Sequence, residues 1–201
     1  MRGQTPFPIT LSLPGRHNVL NALAAITVAR ELGVAVDRIQ SGLAGFEGIG
    51  RRFQATTGCQ IGGHRVMLVD DYGHHPREVA ATLEAVRAGW PGHRLVLAFQ
   101  PHRYSRSQDA FEDFVAVLSQ VDVLVLAEVF AAGEAPIAGA DGRALSRAIR
   151  ARGQVDPVFL EHVEDLPVRL KDLVADDDIV VTMGAGNIGL VAANMAEALC
   201  P

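Results

Sequence analysis

Lysine is nearly absent from this sequence: of 18 lysine and arginine residues, only Lys171 is a lysine. A phosphate-gripping Gly-Lys-Ser/Thr loop therefore has no place in the chain. Any triphosphate handled here would have to be held by a lysine from elsewhere. Cysteine is scarce too. Cys59 and Cys200 lie far apart and without metal-ligand spacing, which makes a reduced, cytoplasmic setting the default expectation. No apolar run approaches the roughly 18 residues of a membrane helix, and the first ten residues, MRGQTPFPIT, lack the apolar stretch of a secretory leader. Basic excess is also missing: the net charge is −5, the wrong sign for a nucleic-acid binder. What is present is 49% apolar and 20% charged residues over 201 positions, ordinary for a soluble core and enough for one domain plus a piece of another.

The segment FPITLSLP, Phe7–Pro14, alternates apolar and polar residues and reads as a half-buried strand. A helix is expected from Arg16 to Leu32, with Val19, Leu23, Ile26 and Ala29 at helical spacing and Gly33 as its stop, then a short one over Asp37–Ala44. A strand and two helices cannot bury a core alone. Residues 1–50 thus read as the tail of a partial domain, and GFEGIGRR as the hinge that ends it. Beyond it, Phe53–Ile61 and His64–Asp70 flank Gly62-Gly63, a strong hairpin signal. Strand candidates VMLVDD, LVLAFQ, VDVLVLAEV and DIVVTM alternate with helices expected over Pro76–Ala88, Gln108–Leu118, Arg143–Ala151 and within HVEDLPVRLKDLV. Residues 51–201 are therefore expected to form one α/β domain: a Rossmann-like, mainly parallel sheet with an antiparallel hairpin at its start.

In such sheets ligands sit beyond the carboxyl ends of the strands. Two of those ends are dense in charge and rings: Asp70-Asp71-Tyr72-Gly73-His74-His75-Pro76, and Gln100-Pro101-His102-Arg103-Tyr104-Ser105-Arg106. The first can be read as a capped turn, as a metal site, or as a ligand site in which a carboxylate takes ribose hydroxyls while Tyr and His fix a small polar substrate. The metal reading lacks a third ligand at helical spacing. In the second loop Arg103 and Arg106 can present two guanidinium forks to one anion; the alternative is a solvated basic turn. Asn18 and Asn21, three apart on one helix face, suit adenine recognition or simple capping. Arg51 and Arg52 are open between a phosphate or adenine contact and a solvated boundary. The last strand candidate runs into Gly184-x-Gly186-x-x-Gly189, the fingerprint of a dinucleotide site. That reading requires an acidic residue about 20 positions on, and only twelve residues follow Gly189.

Taken together, LPGRHNVLNALAA, GRRFQ, VDDYGHHPREVAATL, FQPHRYSR, GEAPIAGADGRAL and MGAGNIG resemble the Mur ligase family over nearly the whole chain. The resemblance implies the end of a central ATP-binding domain (1–50) followed by the family's C-terminal domain (51–201). It further implies a reaction in which ATP and Mg²⁺ activate the lactyl carboxylate of UDP-N-acetylmuramate as an acyl phosphate, attacked by the amine of L-alanine. By position, Asn18 and Asn21 match adenine contacts, Arg52 the hinge arginine near the nucleotide, and Asp71 the ribose acceptor. Tyr72, His74, His102, Arg103 and Arg106 match the amino-acid side, with His74 and the two arginines as catalytic candidates and Tyr72 and His102 as substrate contacts. Mg²⁺ ligands, the phosphate-loop lysine and the UDP site are expected in the missing domains, so the chain alone is expected to be inactive. A peptide-adding relative of the family and a non-catalytic nucleotide-binding module are the alternatives. Neither a membrane nor a nucleic-acid partner is expected.

Overall fold

Residues 6–13, 15–46 and 49–200 are described by the computed structural model of the chain, which falls into two units, residues 1–49 and 50–201. The first holds helices α1 (Arg16–Glu31) and α2 (Val36–Ala44). The end of α1 follows from its sequence. Gly33 sits at φ 76°, its N–H bonds Arg30 O, and Val34 N–H reaches back to Ala29 O, the paired bonds of a Schellman stop. The strand expected over Phe7–Pro14 does not form in Phe7–Leu13, and Pro14 lies outside the described residues. Pro8 has no N–H to give a ladder, and no strand among this unit's described residues lies alongside. Side chains tie the segment instead: Gln40 Nε2 donates to Pro8 O at 2.8 Å and Ser12 Oγ to Phe46 O at 2.6 Å. Among the described residues of this unit the buried apolar side chains are Ala22 and Ile39, while Val19, Leu20, Leu23, Val28 and Leu32 are exposed.

The second unit is a six-stranded sheet. Strands β1 (Gln54–Ile61) and β2 (His64–Asp71) form the expected hairpin, with Gly62 at φ 60° and Gly63 at φ 91° giving the mirror-image turn that suits twisted strands. Then come α3 (Pro76–Gly89), β3 (Leu95–Phe99), α4 (Tyr104–Asp109), α5 (Phe111–Leu118), β4 (Val123–Ala127), α6 (Gly142–Arg152), β5 (Val158–Leu160), α7 (Leu166–Leu170), β6 (Ile179–Met183) and α8 (Ile188–Leu199). Two details differ from expectation. The helix expected from Gln108 begins at Tyr104 and breaks at Ala110, and β5 is a three-residue edge strand whose brevity after Pro157 hid its pattern.

The order across the sheet is β1-β2-β6-β3-β4-β5, parallel apart from the β1–β2 pair. Alternation along each strand loads two cores. Leu95, Leu97, Phe99, Ile179, Val181 and Met183 face α3, α5 and α6, where they meet Val79, Leu83, Phe114, Leu145 and Ile149. Val96, Ala98 and Val180 face α7 and α8, with Leu166, Leu170, Ile188, Val191 and Met195. The expectation for the cysteines also changes. Although 141 residues apart in sequence, Cys59 of β1 and Cys200 beyond α8 come to a Cα–Cα distance of 4.0 Å and are joined as a disulfide. The reason is topological: α8 packs back over β1, β2 and β6, returning the end of the chain to the first strand. Among the described residues no helix is long and apolar enough to cross a membrane.

Candidate active site

The strand order explains why the charged loops meet. β6 lies between β2 and β3, so the loops leaving β2 and β3 flank the glycine turn leaving β6. The glycines clear the ground between them. A Cβ at Gly184, whose φ is 144°, would sit 2.6 Å from Gln100 O, and one at Gly186 would sit 2.7 Å from Phe130 Cβ. The loops close over the turn, bringing the His74 and His102 rings to 5.7 Å. The row of rings continues on both sides: Tyr72 meets His74 edge-on at 5.4 Å, and Phe130 stacks on His102 at 5.5 Å. Phe130 is fixed by backbone bonds, its N–H to Pro101 O at 2.8 Å and Arg103 N–H to its own carbonyl at 2.9 Å.

The loop after β2 is held by two carboxylates. Asp71 is buried, with Oδ1 accepting Gly73 N–H at 2.7 Å and Oδ2 accepting Phe53 N–H at 2.9 Å. Glu78 Oε2 accepts the N–H groups of His74 and His75 at 2.9 and 3.0 Å, while His75 Nδ1 accepts Arg77 N–H, so His75 is the cap of α3. Burial pushes the Glu78 carboxyl up, but the two amides together with His74 and Arg52 outweigh it and hold it below the usual range. Glu78 escaped the sequence reading, though its place three residues after His75 is capping-box spacing.

In the loop after β3 the two arginines take different partners. Arg106 Nη1 donates to His102 O at 2.9 Å and lies 3.2 Å from His102 Nδ1. Arg103, at φ 73°, points Nη1 toward Glu134 Oε1 at 3.8 Å. Glu134 also accepts Ser105 N–H at 3.0 Å and Ser105 Oγ–H at 2.6 Å, starting α4. Those Ser105 bonds, outweighing the small effect of burial and helped by Arg103, keep its carboxyl below the usual range. Glu134 sits in the GEAP stretch that helped carry the resemblance, yet nothing in its spacing marks it as a partner of the basic loop.

The glycine turn itself is filled from within. Gln100 Oε1 accepts Ile188 N–H at 3.0 Å, and its Nε2 donates to Asn187 Oδ1 at 2.7 Å. The helix start that would meet a pyrophosphate is thus already satisfied. A cavity of about 450 Å³ lined by Pro91–Arg94 and Ala175–Asp178 lies at the opposite ends of β3 and β6. There the Arg94–Asp178 ion pair at 2.9 Å is structural, and none of the ring-bearing loop residues contributes. Among the described residues no group of three His, Cys, Asp or Glu is arranged to hold a metal ion.

Residues 51–186 match the family described as Mur ligase, glutamate ligase domain. The chain belongs to the Mur ligase family. It is 59% identical over 198 residues to the UDP-N-acetylmuramate–L-alanine ligase of Methylococcus capsulatus, covering 98% of this chain and 42% of that protein. The ligase of the same name from Chromobacterium violaceum is 59% identical over 189 residues, 93% of this chain and 40% of its own. Among solved structures, the UDP-N-acetylmuramate–alanine ligase of Thermotoga maritima superposes with a TM-score of 0.74 at 26% identity, covering 97% of this chain and 40% of its own length. A murein peptide ligase of Psychrobacter arcticus shares the fold at TM-score 0.63 and 21% identity, over 94% and 38%. The chain thus spans about two fifths of the length of the curated relatives it matches.

Within this Mur ligase domain, Tyr72, His74, His102, Arg103 and Arg106 stand on the two converging loops, and Arg52 lies over Tyr72, Cζ to ring centre 5.5 Å. Asp71 holds backbone amides. Asn18 and Asn21 belong to the other unit, on one face of α1. The surroundings of His102 set its acidity. Burial first, then the positive charges of Arg106, His74 and Arg103, push its pKa below the ordinary histidine value, with Glu134 opposing. The sign follows. Below the ordinary value the unfolded chain takes up the proton more readily than the folded one, so this residue's contribution to stability is present at neutral pH and is lost on acidification. NMR titration is expected to place the His102 midpoint below that of an exposed histidine. Arg106→Met is expected to move it upward, and no movement would contradict the electrostatic account.

Proposed function

We propose that this chain supplies the amino-acid side, and part of the nucleotide side, of an ATP-dependent ligase that joins L-alanine to the lactyl carboxylate of UDP-N-acetylmuramate, in the synthesis of a cell-wall precursor. The observation that carries the reading is the convergence of the two charged loops, His74 on His102 with Arg103 and Arg106 beside them. It is supported by 59% identity to relatives that bear that name.

In this reading the acyl phosphate of the muramate carboxyl is the electrophile. The alanine amine attacks its carbonyl carbon, the C–N bond forms, the C–O bond to phosphate breaks, and inorganic phosphate leaves. Arg103 and Arg106 hold the alanine carboxylate and offset the charge that gathers on the acyl phosphate, which orients the amine for attack. Tyr72 and His74 bound the amino-acid pocket. His74, with the His102 ring beside it, takes a proton from the alanine ammonium and frees its lone pair. Arg52 and Asp71 serve the nucleotide, and Asn18 and Asn21 serve adenine. In this reading the magnesium ligands come from parts of the ligase outside the described residues. The carboxylates near the loops are already engaged, Asp70 by Arg51 and Thr182, Asp71 and Glu78 by amides, and Glu134 by Ser105, which leaves no open hard-oxygen set. The setting for such a ligase is the cytoplasm, where ATP is available.

The test is a graft. Put in place of the matching stretch of the Methylococcus capsulatus ligase, this chain is expected to restore alanine-dependent phosphate release from ATP and UDP-N-acetylmuramate. The 201-residue chain alone is expected to give none. A graft that folds but accepts only peptides would favour the peptide-ligase alternative, and one that binds nucleotide without turnover would favour the non-catalytic module.

A further inference from the structure

Arg51 is the residue that occupies the glycine turn. It lies in the left-handed region at φ 60°, and both sides of its backbone are anchored: its N–H donates to Gln54 Oε1 at 3.2 Å, and its carbonyl accepts Tyr72 N–H at 2.7 Å. The guanidinium is held twice, with Nε donating to Asp70 Oδ2 at 2.9 Å and Nη2 to Gly184 O at 2.6 Å. Asp70 is fixed in turn by Thr182 Oγ1, which donates to its Oδ1 at 2.9 Å. A Cβ at Gly189 would fall on the guanidinium itself, since the three nearest atoms there are Cζ, Nη1 and Nε of Arg51. Arg51 Cζ also lies 5.3 Å from the centre of the Tyr72 ring, which Arg52 approaches at 5.5 Å. One side chain therefore joins the start of the unit, the loop after β2 and the turn after β6.

We propose that Arg51 is a positioning residue of the ligase site: locked between Asp70 and the glycine turn, it sets the place of the Tyr72 ring that bounds the amino-acid pocket. The role rests on the ligase reading; the lock does not. Gly189 is then a glycine because an arginine passes through the turn, where a dinucleotide fingerprint would leave room for a pyrophosphate.

Two measurements separate the claims. The first is a stability cycle on the 201-residue chain. Gly189→Ala alone is expected to lower the folding constant about tenfold, because its methyl displaces the guanidinium. In an Arg51→Ala background the same change is expected to raise it about two- to fivefold, as a Gly-to-Ala change in an open helical position does. Equal effects in both backgrounds would overturn the lock. The second is kinetics in the grafted ligase. Arg51→Ala is expected to raise the KM for L-alanine about tenfold while kcat and the KM for ATP stay within about threefold. Arg51→Lys should recover part of this, since an ammonium keeps the charge beside Asp70 but cannot span both oxygens. Parallel rises in both KM values, or a fall in kcat alone, would reduce Arg51 to a structural contact. An inactive unsubstituted graft would sink the ligase reading and the role with it, while the cycle still decides whether the lock exists.

Discussion

Arg103→Ala in the grafted ligase lowers kcat by about 10²- to 10³-fold, the range seen when a donor aimed at developing charge is removed. Three features single out this arginine. Its backbone is held in the left-handed region at φ 73° by the bond from its N–H to Phe130 O, a strained arrangement of the kind that collects at functional sites. Its guanidinium is half exposed, and its nearest carboxylate, Glu134, stands at 3.8 Å, longer than a tight ion pair, so an incoming anion competes with a weak partner. Glu134 is already committed to Ser105, which leaves the charge of Arg103 incompletely answered. Arg103→Lys keeps the charge and loses the planar fork, so it is expected to recover only a small part of the rate. Folding should be nearly indifferent, within about 0.5 kcal/mol, because the side chain is on the surface. Phosphate release measured beside thermal melting separates the two effects. An Arg103→Ala enzyme within about threefold of the parent would remove Arg103 from the chemistry.

Phe114→Ala costs about 3–5 kcal/mol of folding free energy, the usual range for emptying a buried aromatic site. Phe114 is fully buried on α5 and meets Phe99 of β3 at 5.5 Å between ring centres. Its neighbours Leu118, Leu145 and Ile149 are themselves fully buried, so little can move in to fill the space. Phe114→Leu should cost distinctly less, since most of the volume is kept. Val168→Ala is the control: that residue is 67% exposed, and the change should stay within about 0.5 kcal/mol. Denaturant midpoints at unchanged slope check the series. A cost below about 1 kcal/mol for Phe114→Ala would mean that the core on this face of the sheet is not packed as described.

Much of the fold was legible because both faces of the sheet are covered. Leu95–Phe99 and Ile179–Met183 must be apolar throughout, and a continuous apolar run between turn residues has few other readings. Gly62-Gly63 marked the hairpin for an equally local reason. The failures are places where a local pattern depends on a distant partner. Phe7–Leu13 alternates like a strand and finds nothing beside it to pair with. Val158–Leu160 has little pattern to show and becomes a strand because the edge of β4 is there. The early start of α4 at Tyr104 depends on Glu134, some thirty residues on. Cys59 and Cys200 are far apart in sequence and adjacent in space, because α8 folds back over β1.

The candidate site divides in the same way. The two charged loops stand out in the sequence because strands end just before them, and the sheet order then brings their histidines together. Their supports do not stand out. Glu134 and Phe130 belong to the β4 loop and show their part only once that loop lies beside PHRYSR. Arg51 was ambiguous with Arg52, and nothing local says which of two adjacent arginines enters a turn 133 residues later. The glycine fingerprint has a related explanation: Gly184 and Gly189 meet its spacing, yet Gly184 clears the Gln100 backbone and Gly189 the Arg51 side chain.

Mass analysis of the product of the grafted ligase is the most direct test of the central claim. The graft is given ATP, UDP-N-acetylmuramate, L-alanine and a competing tripeptide at equal concentration. The account predicts UDP-N-acetylmuramoyl-alanine as the dominant product, formed one for one with inorganic phosphate and lost in the Arg103→Ala variant. A tripeptide adduct as the main product, or phosphate release that does not depend on any amine, would contradict it.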